Sequence, residues 1–312
     1  MLDYRGAKYD VTNLVDTTDA GSVAFQVAEI FGNLYQREFP ADMLRVFVDI
    51  GRLYRGEFPG YHACETDYHD IQHILEVTLA MSRLMDGCVR ATGPTVMNEH
   101  LFKLGTVSAL LHDIGYLRRL DDTEKKHGAE YTRTHVGRGA DFMRWYLPSV
   151  GLAELADAAA RIVHFTGYEI PSGQIQIDSQ YRMVGNLLGS ADILAQMADR
   201  CYLEKCRDRL YPEFVLGGIA CQMDEKGGEK VIFASPADLV FKTPGFFKGA
   251  QKRLEEDLGG VYRYVDKHFK SGDNLYYSET RKNIDYASAI ADSRDISLLR
   301  RNLPDYKPGE AA

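Results

Sequence analysis

The sequence predicts an all-α protein, and three observations carry that expectation. Apolar residues recur at helical spacing along most of the chain. The segments between them are marked by glycine and proline breakers. Only one short stretch, KGGEKVIF, has a β-like pattern, which admits a small hairpin and nothing larger.

The elements follow in order. From Gly21 to Phe39, Val23, Val27, Ile30, Phe31 and Leu34 fall on one helical face. Pro40 then opens a second helix carrying Met43, Leu44, Phe47, Val48 and Ile50. GEFPGYHACETD reads as a loop. A long helix is expected from Tyr68 to Met85, ended by Gly87, and another from Val96 to Leu111. Thr123 to Leu147 reads as one helix, open to interruption at Gly137 or Gly139. Ala153 to Val163 is helical, FTGYEIPSGQIQID is a loop, and Asp178 to Leu210 makes one or two helices. After Pro212 the pattern weakens, apart from a helix over Lys248 to Lys270 and a tail or wrapping arm from Asp295, with Pro304 and Pro308. There is no internal repeat and no linker. The simplest organisation is a helical domain over 1–211 with a mostly helical C-terminal extension, 212–312, packed on it.

Composition narrows the function classes. The 312 residues are 45% hydrophobic and 26% charged, ample for a large core. No apolar run reaches the roughly 20 residues a bilayer span requires, and MLDYRGAKYD lacks the basic and apolar regions of a secretory signal. The five cysteines (Cys64, Cys88, Cys201, Cys206, Cys221) have no framework spacing, and read as reduced thiols of a cytoplasmic protein. The net charge of -8 argues against bulk nucleic-acid binding. It leaves room for a small phosphorylated substrate if metal ions supply positive charge locally.

Several histidines sit where an ordinary helix would place a hydrophobe. Tyr68-His69-Asp70-Ile71-Gln72-His73 sets His69 and His73 four apart, so on a helix both rings leave the same face. Taken alone, that spacing also describes two solvated histidines. In Ala109-Leu110-Leu111-His112-Asp113-Ile114-Gly115 an apolar run ends abruptly in His-Asp, and a buried ionised Asp needs a cation or donors. His135 stands in Thr134-His135-Val136-Gly137-Arg138-Gly139-Ala140, and His164 ends an apolar helix. Asp192 is flanked by small and apolar residues. Each has a bland explanation. Together His73, His112-Asp113, His135, His164 and Asp192 form an ordered series on separate predicted helices, as a metal site inside a helical bundle requires. Mixed imidazole and carboxylate donors suit Mn, Fe, Zn, Ni or Co, with Mg at a more oxygen-rich position.

That order, with Tyr68-His69-x3-His73, Leu111-His112-Asp113-Ile114-Gly115, His135 with Gly139-Ala140, His164 and Ala191-Asp192, resembles the HD superfamily of metal-dependent phosphohydrolases. The resemblance covers 68–200. It implies a phosphodiesterase-like helical bundle and two divalent metal ions. His73, His112, Asp113 and Asp192 would hold the first ion. Asp113 would bridge to a second, which His135 and His164 help to hold, and a hydroxide between them would attack a phosphate ester, nucleotide-like or a monoester. His69 would be the general acid. Asp70 would orient a ring or stand solvated. Arg118 could hold a substrate phosphate, or with Arg119 form a basic turn facing Asp121 and Asp122, and His127 is a reserve contact. The loop 166–177 would border the pocket. His62, His100 and His268 have no motif context.

The sequence departs from the family in two places. Tyr116 stands where the HD-GYP group carries Lys, and no Gly-Tyr-Pro follows Gly167-Tyr168, which argues against cyclic di-GMP. None of Gln196, Gln222 and Gln251 has the surroundings of a purine-holding glutamine. Two other readings use the same residues. One is an HD-type diiron oxygenase, where His69 has no required role, and the other is a non-catalytic metal- or nucleotide-binding sensor.

Overall fold

Helix α3 (Ile71–Thr92) is the element around which the others pack. Its side chains are buried from Ile71 to Leu75 and from Val77 to Cys88, leaving almost no solvent face. A helix covered on all sides belongs to a core. Its two buried charges are paired: Arg83 with Asp10 at 2.5 Å, and Asp86 with Arg90 and His268 at 2.7 Å each. A computed structural model describes residues 5–223, 228–269 and 272–304.

Helices α1 (Ala20–Tyr35), α2 (Ala41–Tyr54) and α4 (Glu99–Leu111) lie on one side of α3. Asp19 caps α1 by accepting from the amides of Gly21 and Ser22, and Asn98 caps α4 by accepting from Leu101. Pro40 precedes α2 in extended backbone, as expected. Helices α5 (His135–Ser149) and α6 (Ala153–Ile162) pack on each other, and α7 (Ser179–Ala198) lies against α3. Then α8 (Tyr202–Lys205) runs through a wide turn at Cys206–Leu210 into α9 (Tyr211–Leu216). The expected hairpin pairs β1 (Cys221–Met223) antiparallel with β2 (Glu229–Val231). Helices α10 (Pro236–Lys252), α11 (Val265–His268) and α12 (Leu275–Ser293) complete the chain. The hairpin is the one sheet among the described residues, so the chain is all-α.

Four expectations change, the first being the helix read over 248–270, which is parted at Gly259 and Gly260 into α10, starting at Pro236, and α11. The helix read from Tyr68 starts at Ile71, because Asp70 turns its carboxylate onto the His73 amide and caps the helix. His69 therefore lies outside it. The helix also runs past Gly87 to Thr92. Gly87 is a close-approach site rather than a stop: a Cβ there would stand 1.8 Å from the Tyr264 carbonyl oxygen. The helix read over 123–147 is a short turn, Gly128–Tyr131, followed by α5 from His135, with no break at Gly137 or Gly139. Helix α12 carried no reading of its own in the sequence.

The part beyond residue 211 does not fold apart from the rest. Val261, Val265 and Tyr276 join the first apolar cluster, beside α1 to α7. Tyr68, Phe165, Ile193 and Met197 join the second, beside Leu203, Val240, Phe247 and Ile290. The arm from Asp295 wraps back, with Leu299 buried and the Arg301 amide donating to Glu204 at 3.0 Å, whereas Pro308 lies outside the described residues. All five cysteines are free. No helix of the described residues is long and apolar enough to cross a membrane.

Two substitutions test this packing. Gly87→Ala is expected to destabilise the fold by about 1–3 kcal/mol, since backbone must move to admit the methyl group. Gly137→Ala, exposed on α5 with nothing near its Cβ, should be neutral or raise stability by about 0.5–1 kcal/mol. Thermal melts of the two variants measure both, and equal melting temperatures would contradict the tight α3–Tyr264 contact.

Candidate metal centre

The cluster begins where α4 stops. His112 is the C-cap of α4 and Asp113 follows in a non-helical conformation, leading into the short turn Ile114–Tyr116. Gly115 lets that turn touch the start of α5: a Cβ there would stand 1.9 Å from the His135 carbonyl oxygen. This contact brings Asp113 to His135. On α7, Gly189 permits the Phe165 carbonyl to approach to within 2.6 Å of where a Cβ would sit, and Asp192 lies one turn further on. His73 enters from the first turn of α3.

These side chains converge. The Nε2 atoms of His73 and His112 are 3.3 Å apart. Asp113 Oδ2 lies 3.5 Å from His73 Nε2 and 3.2 Å from His112 Nε2. Asp192 Oδ1 lies 3.5 Å from His73 Nε2. The other carboxylate oxygen of Asp113, Oδ1, faces His135 Nε2 at 3.4 Å. Asp113 is thus shared between the His73–His112–Asp192 group and His135.

The electrostatics are those of carboxylates and imidazoles packed together out of water, and the Asp113 carboxylate also lifts the His135 imidazolium against its burial. Burial pushes the His73 imidazolium down, but its hydrogen bonds to Asp113 and Asp192 outweigh that and lift it to about 10. Burial pushes Asp113 up, yet the His112, His135 and His73 rings hold it well below the usual carboxylate range. Asp192 is likewise held low against its burial by His73 and His112.

The donor set fits a divalent cation. Ligand atoms of His73, His112 and Asp192 all lie within 4.8 Å of one another. With metal–ligand bonds of about 2.0–2.2 Å, neighbouring donors stand roughly 3.0–3.6 Å apart, the spacing seen here. His112 Nδ1 is 2.8 Å from the Ala109 carbonyl and His135 Nδ1 is 2.8 Å from the Thr132 carbonyl. Each carbonyl can only accept, which fixes the proton on Nδ1 and leaves the Nε2 lone pair facing the cluster, as ligating histidines require.

His69 stands beside this group in irregular backbone. Glu213, on α9, holds it there: one carboxylate oxygen accepts from the Tyr68 amide and the other meets His69 Nδ1, both at 2.5 Å. That leaves Nε2 as the ring nitrogen available to the cavity. The His69 ring stacks on Tyr116 with centroids 4.3 Å apart, and Tyr116 stacks on His135 at the same distance. Asp70 is buried and paired with Arg209 at 3.0 Å. Gln196 donates to the Tyr68 hydroxyl at 2.9 Å.

A cavity of about 430 Å³ opens over the cluster, lined by His69, His73, Asp113, His135, Asp192 and Tyr116 among others. Thr166, Gly167, Tyr168 and Glu169 of the expected loop also border it. His164 is not among the residues lining the cavity; its Nδ1 is 2.9 Å from Glu169, which does line it. Arg118 is not on the cavity either: it forks onto both oxygens of Glu65 at 2.7 Å and donates to the Lys125 carbonyl. Arg119 pairs with Asp121. His127 shares no helix with His135 and caps the turn at Gly128 by accepting from the Ala129 amide. The cations that line the cavity are Arg133 and Arg253. Arg253 donates to the Phe165 and Gly167 carbonyls and lies over the Tyr168 ring at 3.9 Å. Glu213, Tyr116, Arg133 and Arg253 have no place in the sequence series. One signal did exist, since Glu213 is a carboxylate within the apolar stretch Tyr211-Pro212-Glu213-Phe214-Val215.

A family model described as Npun_R2479-like matches residues 58–253, and the chain belongs to that family. The matched segment runs from the loop before α3 to Arg253, so it encloses the whole cluster together with Glu213. No curated protein matches the chain.

Metal uptake by the stripped protein tests the donor set. Since the His73 imidazolium is held up to about 10, uptake near pH 7 should expel a proton from it, and affinity should rise with pH up to that value. Calorimetry with Mn²⁺ or Zn²⁺ in two buffers of different ionisation heat reads that proton. His73→Ala should weaken uptake by at least about 10- to 100-fold, the cost of losing even an outer partner. Uptake without proton release and indifferent to His73→Ala would put the ion elsewhere.

Proposed function

We propose that the chain is a metal-dependent phosphohydrolase of the HD type, acting on a small phosphate ester. The observation that carries the reading is the hydrogen-bonded pair His69–Glu213 set beside, but outside, the His73–His112–Asp113–Asp192 donor group. A group of donors alone serves many purposes. A second imidazole held at the cavity wall by a buried carboxylate has a use when a leaving oxygen must be protonated.

His73, His112, Asp113 and Asp192 would hold one divalent ion, and Asp113 with His135 would reach a second. Such ions neutralise phosphoryl oxygens and bring the pKa of water toward neutrality. The remaining roles belong to the chain itself. His69 presents Nε2 to the cavity and gives its proton to the departing oxygen. Glu213 accepts from Nδ1 and so fixes the ring's tautomer and orientation. Tyr116 is stacked between His69 and His135 and packs against a face of each ring. Burial raises the Tyr116 phenol well above its ordinary range, so it stays neutral there. Arg133 and Arg253 can each present a guanidinium to a phosphoryl oxygen at the cavity wall. An oxygenase built on the same donors has no need of the His69–Glu213 pair.

The test combines metal content with turnover. Purified protein should carry about two equivalents of divalent metal and hydrolyse p-nitrophenyl phosphate or its bis ester in a metal-dependent way. His69→Ala should keep its metal and lose about 100- to 10,000-fold in turnover. The loss should be greater for an alkyl leaving group than for p-nitrophenolate, which departs without a proton. Glu213→Gln should keep the metal and change the pH profile of turnover. Two irons with oxygen consumption and no hydrolysis would overturn the reading in favour of the oxygenase.

A further inference from the structure

The cavity over the donor group is not closed on its far side. A second chamber of about 620 Å³ adjoins it and shares a wall of Tyr168, Gln196, Phe214, Ile219, Phe246 and Arg253. The two differ in chemistry. The first is lined by the histidines and carboxylates of the cluster. The second is built from Tyr202, Phe233, Leu239, Gly249 and Ala250, with Lys242 and Asp257 as its charged residues, both exposed. Phe214 stacks on Phe233 with centroids 5.6 Å apart and planes 24° apart, and Tyr202 tilts against Phe246 at 5.9 Å. Arg253 stands at the join, a guanidinium between a polar end and an apolar end.

We infer that the second chamber takes an apolar, ring-bearing group esterified to the phosphate, so that the substrate spans both chambers with its phosphate at the donor group and Arg253 at the ester. The inference rests on the phosphohydrolase reading for the phosphate and on the second chamber for the rest. Flat aromatic walls favour a ring, which gains offset or edge contacts beyond area burial. A nucleobase suits the chamber poorly. Its edge needs donors and acceptors, yet Thr243 donates to the Leu239 carbonyl, Lys242 is held by Asp238 and the Ile232 carbonyl, and Gln196 spends its amide nitrogen on the Tyr68 hydroxyl. An unpaired base edge buried there would lose more than its stacking returns.

Gly249 provides a test that spares the catalytic residues. It lines the second chamber on α10, and a Cβ there meets nothing within 4 Å. Gly249→Leu should fill the chamber while improving helix propensity, so its melting temperature should not fall. Binding of 1-naphthol, inorganic phosphate and 1-octanol to metal-loaded protein is measured by calorimetry, with turnover of 1-naphthyl phosphate and methyl phosphate alongside. Gly249→Leu is expected to weaken 1-naphthol at least tenfold, to leave inorganic phosphate unchanged, and to lower kcat/KM for the naphthyl ester alone. No 1-naphthol binding by the wild type, equal binding by Gly249→Leu, or tighter binding of 1-octanol would overturn the chamber's assignment. If 1-naphthol behaves as expected but no phosphate ester is turned over, the chamber stands as a ring-binding site and the phosphohydrolase reading falls.

Discussion

The carboxylate of Asp113 is the interaction on which the rest of the site depends. It is buried, and three imidazoles surround it: His73, His112 and His135. An ionised carboxylate in that position is costly unless it is matched, and removing its partners would leave a buried unpaired charge. The match is made by three separate pieces of chain. His112 arrives with Asp113 from the end of α4, His73 from the first turn of α3, and His135 from the first turn of α5. Asp192 adds a second negative charge from α7. The two carboxylates draw protons onto the His73 and His135 rings, and a divalent cation in the donor group would take the place of those protons.

Geometry of that kind cannot come from one helix. It needs helix ends to meet, and the glycines at the contact points permit it. Gly115 lets the Asp113 turn lie on the His135 carbonyl, and Gly189 lets α7 lie on the Phe165 carbonyl. The same logic extends to the C-terminal part. Glu213 fixes His69 from α9, and Asn283 on α12 donates to the Met197 and Asp199 carbonyls at the end of α7. The elements after residue 211 thus hold the wall of the site as well as one of the two apolar cores.

What the sequence revealed follows from what a local pattern can encode. Helical periodicity, and the anomaly of His112-Asp113 at the end of an apolar run, are local, and they led to the all-α class and to His73, His112, Asp113, His135 and Asp192 as neighbours. The start of α3 was misplaced because Asp70 competes with the periodic pattern by capping, which excludes His69 from the helix. Gly87 looked like a stop since sequence does not record that a carbonyl 177 positions later approaches it. His164 stands where the family motif has a ligand and Arg118 just after the His-Asp segment, yet each has a nearby carboxylate, Glu169 and Glu65, that pairs with its side chain. Glu213 was missed for the opposite reason: its partners, Tyr68 and His69, lie 145 and 144 positions away.

The acidity of the chain bears on how an anion could enter. With a net charge of -8, and with the two carboxylates at the end of the cavity already matched by imidazoles, the cluster alone offers a phosphate little attraction. Arg133 and Arg253 offset part of this at the cavity wall, and Arg253 adds little reach because two backbone carbonyls and the Tyr168 ring hold it in place. On the proposed reading, the missing positive charge is the metal. Cation and anion then share one field, and each raises the affinity of the other by the same factor. A phosphate that bound equally well with and without metal would have to draw its whole affinity from the two arginines. The burial of Asp113 would then be offset by its three imidazoles alone. The coupling of metal to phosphate is thus the property that the converging ends of α3, α4 and α5, against the flank of α7, would exist to provide.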